Sequence, residues 1–83
     1  MHSVNVSIDN FQLEVQESPL PVILHFWVDR CGLCDMISQI LEEITVEMKG
    51  RINVAKLDLG KNQELAAQFG VQFIPIIAFF RGA

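Results

Sequence analysis

Basic residues are scarce in this chain: six Lys and Arg stand against ten Asp and Glu, for a formal net charge of -4. Phosphate binding draws on clustered cations. The few here are scattered, so a nucleic-acid partner is excluded. Long apolar runs are missing too. A membrane span needs roughly 18–20 apolar residues, and the longest runs, around Val22–Val28 and Phe73–Phe80, are strand-length. The opening Met-His-Ser-Val-Asn-Val has no basic region followed by an apolar one. No secretory leader is expected, and a cytoplasmic location follows. Cysteine is limited to two residues, whereas a secreted disulfide scaffold carries more, at wider spacing. With three Pro and five Gly, nothing suggests a fibrous or low-complexity chain.

What is present is apolar and patterned. The 83 residues suffice for one domain, 1–83, which buries about 60–65% of its unfolded surface. A hydrophobic share of 51% argues against disorder. Val4, Val6 and Ile8 alternate with polar residues as a half-buried strand does. Asp9 and Gln12 have capping-box spacing, and Ile8 and Leu13 that of a hydrophobic staple, predicting a short helix to about Glu17. Ser18-Pro19-Leu20-Pro21 breaks it.

Val22–Val28 reads as a central strand buried on both faces. Met36, Ile37, Ile40, Leu41, Ile44 and Met48 then recur at helical spacing, with Gly50 as the stop. Ile52–Leu59 is a third strand. Asn62 caps a short helix through Phe69, ended by Gly70. Ile76–Phe80 is the last strand, before Arg81-Gly82-Ala83 where a turn begins. The order β-α-β-α-β-α-β predicts an α/β sandwich.

Cys31 and Cys34 fall between the buried strand and the first turn of the long helix. Free backbone N–H groups and the helix dipole favour negative charge there, so Cys31 is expected to have a depressed pKa. Arg30 adds a cation beside it. Cys34 lies one turn further in and more shielded. Cys31 would attack a substrate disulfide and Cys34 would resolve the mixed intermediate. Two other readings stand beside this one. The cysteines can be buried structural residues, or half of a zinc site that His2 and His25 would have to complete.

Phe26-Trp27-Val28-Asp29-Arg30-Cys31-Gly32-Leu33-Cys34-Asp35-Met36 resembles the active-site segment of the thioredoxin family. Val54-Ala55-Lys56-Leu57-Asp58 looks like its third strand, and Phe69-Gly70-Val71 with Ile74-Pro75 like its approach to a cis-proline. The resemblance runs over the whole chain. It implies a thioredoxin-like sandwich: a central mixed sheet flanked by helices. Cys31 and Cys34 would be the catalytic redox disulfide. Arg30, Gly32, Leu33, Ile74 and Pro75 would bind or support the substrate beside it. Ile74 would pair by its backbone with an extended peptide. Without the resemblance, Pro75 is simply a strand-opening proline.

Four departures from the family's pattern are visible. Arg30 stands where the family has a substrate-facing Trp. Leu33 replaces a Pro, freeing φ within the loop. His25 replaces a buried Asp that helps move the resolving cysteine's proton. A neutral His can act as that base, or it can simply pack in the core. Lys56 matches the family's Lys near that position, and its charge should keep His25 neutral. Finally, the family continues through another strand and a helix beyond the point matched by Ala83. A C-terminally truncated sandwich is therefore expected, with an apolar face and the Ile76–Phe80 edge uncovered.

The leading expectation is a thiol–disulfide oxidoreductase acting on protein disulfides, with no metal or organic cofactor. A reductase or small thiol would supply electrons, and self-association could cover the bare face or edge. It should be less reducing than thioredoxin, given Leu33 and the missing acid. The alternatives are a co-chaperone-like binding module of the same fold, and a fragment without independent function.

Overall fold

In a computed structural model of the chain, residues 3–71 and 73–81 are described. The strands are β1 (Ser3–Val6), β2 (Val22–Trp27), β3 (Asn53–Asp58) and β4 (Ile76–Phe80). They form one mixed sheet in the order β1-β3-β2-β4. β3 runs parallel to both β1 and β2, whereas β4 runs antiparallel to β2. The helices are α1 (Gly32–Glu47) and α2 (Gln63–Phe69), and a π-helical turn spans Gln12–Gln16. The expected α/β sandwich with a central mixed sheet is present. The expected turn at Gly82 and Ala83 lies outside the described residues.

Alternation along the strands sorts the sheet into two faces. Val22, Leu24 and Phe26 of β2 join Ala55, Leu57 and Val6 on one face, under Phe11, Val15 and Leu65. Phe69 locks this layer edge-on, with its ring centroid 5.3 Å from Phe11, 5.4 Å from Phe26 and 6.0 Å from Phe80. On the opposite face lie Ser3, Val54, His25 and Lys56, in register across β1, β3 and β2. α1 covers this side, tied by the Ser3 hydroxyl donating to the Glu42 carboxylate at 2.6 Å. β2 is thus buried on both faces, as its near-continuous apolar run predicts.

Several local expectations are corrected. Asp9 does not cap a helix. The Asn10 carboxamide takes the turn instead, accepting from the Ser7 N–H at 2.7 Å and donating to the Asn5 carbonyl at 3.1 Å. Gln12 donates forward to Glu17, so no capping box forms. The turn closes through an i→i+5 bond from the Glu17 N–H to the Gln12 carbonyl. Because Phe11 and Val15 point inward, Leu13 and Ile8 are exposed and no staple forms. Val4 is also exposed, at the edge of the sheet. Asn62 begins α2 without a side-chain cap, its amide donating instead to the Asp58 carbonyl. Gly70 closes α2 in the left-handed region, φ 65°.

α1 differs in the face it buries. Cys34, Leu41 and Thr45 point to the sheet, whereas Met36 and Ile40 are exposed together with Leu33. Residues 33, 36 and 40 form a second apolar stripe at helical spacing. On the same side of the sheet, Ile77 and Phe79 of the edge strand β4 are exposed. An apolar face is therefore open among the described residues.

Candidate active site

β2 ends at Trp27, and four residues later the chain enters α1 through Cys31. Cys31 is extended, φ -118° and ψ 103°, and serves as the helix N-cap. Its Sγ accepts from the Cys34 N–H at 3.0 Å. Sulfur thus does what a Ser or Asp oxygen does at most helix starts. Cys31 and Cys34 are joined as a disulfide with their Cα atoms 5.2 Å apart. The two ends of the bond sit in different surroundings: Cys31 is partly exposed, and Cys34 is 1% exposed on the sheet-facing side of α1.

Gly32 and Leu33 are exposed between them. A Cβ on Gly32 would meet nothing within 4 Å, so no close approach demands glycine there. Arg30 is exposed and adopts φ 58°, the one non-glycine residue at positive φ among the described residues. Ile74 and Pro75 are partly buried and joined by a cis peptide bond. Because Ile76 pairs with Phe26 in antiparallel register, Ile74 and Pro75 lie beside the end of β2 that leads to Cys31. The fold therefore brings the Cys31–Cys34 loop and the proline loop to the same end of the sheet.

His25 is completely buried, and neither ring nitrogen has a hydrogen-bond partner among the described residues. Burial lowers its pKa below the ordinary 6.5, and the Lys56 charge lowers it further. Lys56 is the cross-strand neighbour of His25. It also lines a cavity of about 450 Å³ with Trp27, Asp35, Ser38 and Gln39. Solvent thus reaches Lys56, while His25 stays sealed beneath α1. His2, the other histidine weighed as a zinc ligand, lies outside the described residues. Among the described residues no group of three His, Cys, Asp or Glu side chains could hold a metal ion.

The sulfur cap, the left-handed Arg30 and the Ser3–Glu42 tie were not read from the sequence. A Cys preceding an amphipathic helix is a weak capping signal beside Ser, Thr or Asp. The indole N–H of Trp27 is buried without a partner among the described residues, which the motif does not signal.

A mixed sheet that delivers a Cys-x-x-Cys disulfide at a helix N-terminus defines a dithiol/disulfide protein of α/β architecture. The Thioredoxin family model matches residues 2–83. The chain is 39% identical over 77 residues to a thioredoxin of Rickettsia felis, covering 93% of this chain and 73% of that protein. It is 41% identical over 78 residues to a thioredoxin of Thiocapsa roseopersicina, covering 94% and 86%. Over 80 residues it is 34% identical to thioredoxin 1 of a Nostoc species, covering 96% and 75%. A crystal structure of chloroplastic thioredoxin z superposes with a TM-score of 0.90 at 25% identity, covering 96% of this chain and 71% of that one. The chain belongs to the thioredoxin family and is a thiol–disulfide oxidoreductase. Membership implies protein disulfides and reductases as partners in general. No helix of the described residues is long and apolar enough to cross a membrane.

Proposed function

We propose that Cys31 is the attacking thiol and Cys34 the resolving one in the reduction of protein disulfides. The observation that carries this assignment is the difference between the two sulfurs. Cys31 is reachable and accepts an N–H at the start of a helix, and Cys34 is buried behind it. That N–H and the helix N-terminus favour a thiolate on Cys31 in the reduced form. The thiolate attacks one sulfur of a client disulfide, forming a mixed disulfide and releasing the client's other sulfur. Cys34, once deprotonated, attacks Cys31 Sγ, forming the intramolecular disulfide and releasing the second client thiol. Two electrons and two protons pass to the client. A reductase or a small thiol returns the pair to the dithiol.

His25 is assigned the proton of Cys34, with Lys56 linking it to the cavity. It is neutral at pH 7, buried on the sheet face beneath α1, and has free ring nitrogens among the described residues. Gly32 and Leu33, exposed between the two cysteines in the first turn of α1, support the client beside the disulfide. The backbone of Ile74, next to Pro75, pairs with an extended client segment. The setting is the cytoplasm. Self-association through the open face or the β4 edge belongs to the same proposal, supported by exposed Ile77 and Phe79.

Insulin reduction by dithiothreitol tests the assignment. Wild type accelerates precipitation and Cys31→Ser does not. Equal rates for both would remove the catalytic role and leave a binding module of the same fold.

A further inference from the structure

We propose that Arg30 selects clients, favouring protein disulfides whose cysteine is flanked by Asp or Glu. The inference rests on the reading of Cys31 as the attacking thiol and adds the chemistry of what it attacks. Arg30 directly precedes Cys31, is exposed, and holds φ 58° with a full side chain where glycine would be favoured. A disfavoured backbone kept beside a reactive atom points to a use for the side chain it carries.

The surroundings specify that use. Leu33 and Met36, each 60% exposed, lie on the outer stripe of α1. Phe73, 76% exposed, immediately precedes Ile74 and Pro75. An extended client segment crossing from the proline loop to Cys31 therefore meets apolar side chains, with Arg30 as the cation next to the sulfur.

Two carboxylates are close in sequence. Asp35 lines the cavity with Trp27, Ser38, Gln39 and Lys56, on the flank of α1 away from Leu33 and Met36. Asp29 is exposed beside Arg30. The Arg30 side chain itself is exposed to solvent. The guanidinium is thus open to a client carboxylate, which it can meet in bidentate geometry. The chain's net charge of -4 repels acidic clients at long range, so the preference must come from Arg30 itself. Complementary charge at such a rim acts mainly on encounter and orientation.

The test uses two peptides with the same internal disulfide, one with Glu and one with Lys flanking the attacked cysteine. Dithiothreitol is the electron source. Wild type is expected to show a kcat/KM for the Glu peptide about two- to fivefold above that for the Lys peptide at low salt, the range for an exposed ion pair. The ratio should shrink toward one at high salt. Arg30→Gly, which suits φ 58° and so preserves the loop, should bring the ratio to one or below. Arg30→Glu should invert it. An unchanged ratio in both variants, or equal rates for the two peptides in wild type, overturns the proposal. If wild type reduces both peptides equally while Cys31→Ser reduces neither, the client preference alone fails. If wild type and Cys31→Ser are equally inert, the catalytic assignment fails and this inference with it.

Discussion

The backbone N–H of Cys34 donates to the Sγ of Cys31 at 3.0 Å, so the resolving residue holds the sulfur it is proposed to attack. One helical turn links the two roles. With Cys34→Ser, the mixed disulfide on Cys31 should persist for want of an internal thiol. A client incubated with this variant is expected to stay covalently bound on a non-reducing gel and to be freed by reductant. Cys31→Ser should trap nothing. Trapping on Cys34 instead would reverse the assignment.

Much of this site was legible from residue type and spacing. Cys31 and Cys34 after a run such as Val22–Val28, with a helical pattern following, fix a strand-to-helix junction. Met36 and Ile40 share the helical spacing of Leu41 yet are exposed, because periodicity finds an apolar face without finding what covers it. α1 carries two apolar stripes, and only the one through Cys34, Leu41 and Thr45 meets the sheet. Asp9 and Gln12 were misread because their spacing suits a capping box, while Asn10 competes more effectively for the same backbone groups. The positive φ of Arg30 had no sequence signal, since Arg carries no preference for that region.

His25 should couple stability to pH. Its folded-state pKa lies below 6.5, so the unfolded chain takes up a proton at a pH where the folded chain does not. Its penalty is absent well above pH 6.5, and it grows as pH falls below that value toward the lowered pKa. Wild-type Tm should therefore drop between pH 7 and pH 5 more steeply than that of His25→Leu. At pH 7 the Leu variant should be as stable as wild type or more so, because an unpartnered buried polar group costs about 1–3 kcal/mol. Its mixed disulfide should nevertheless resolve about 10²-fold more slowly, the lower end of general-base contributions. Thermal melts and stopped-flow Trp27 fluorescence read the two effects separately. Unchanged resolution would leave His25 as a packing residue.

Phe26 should matter most to folding. It is 1% exposed and packs edge-on against Phe69. Phe26→Ala should cost about 3–5 kcal/mol in urea denaturation, a large part of what a small domain has. Leu33→Ala, at an exposed position in the first turn of α1, should stay within about 0.5 kcal/mol. A mild Phe26→Ala would contradict the placement of the core on that face.

The central claim is that Cys31 and Cys34 cycle between dithiol and disulfide, and a redox titration of the pair tests it most directly. Equilibration in thiol buffers, followed by the fluorescence of Trp27, should give one two-electron transition. Its midpoint should lie above about -270 mV, the value of thioredoxin itself, and Leu33→Pro should move it downward. Cys31→Ser should abolish the transition. No potential-dependent change in wild type, or the same change in Cys31→Ser, would contradict the account.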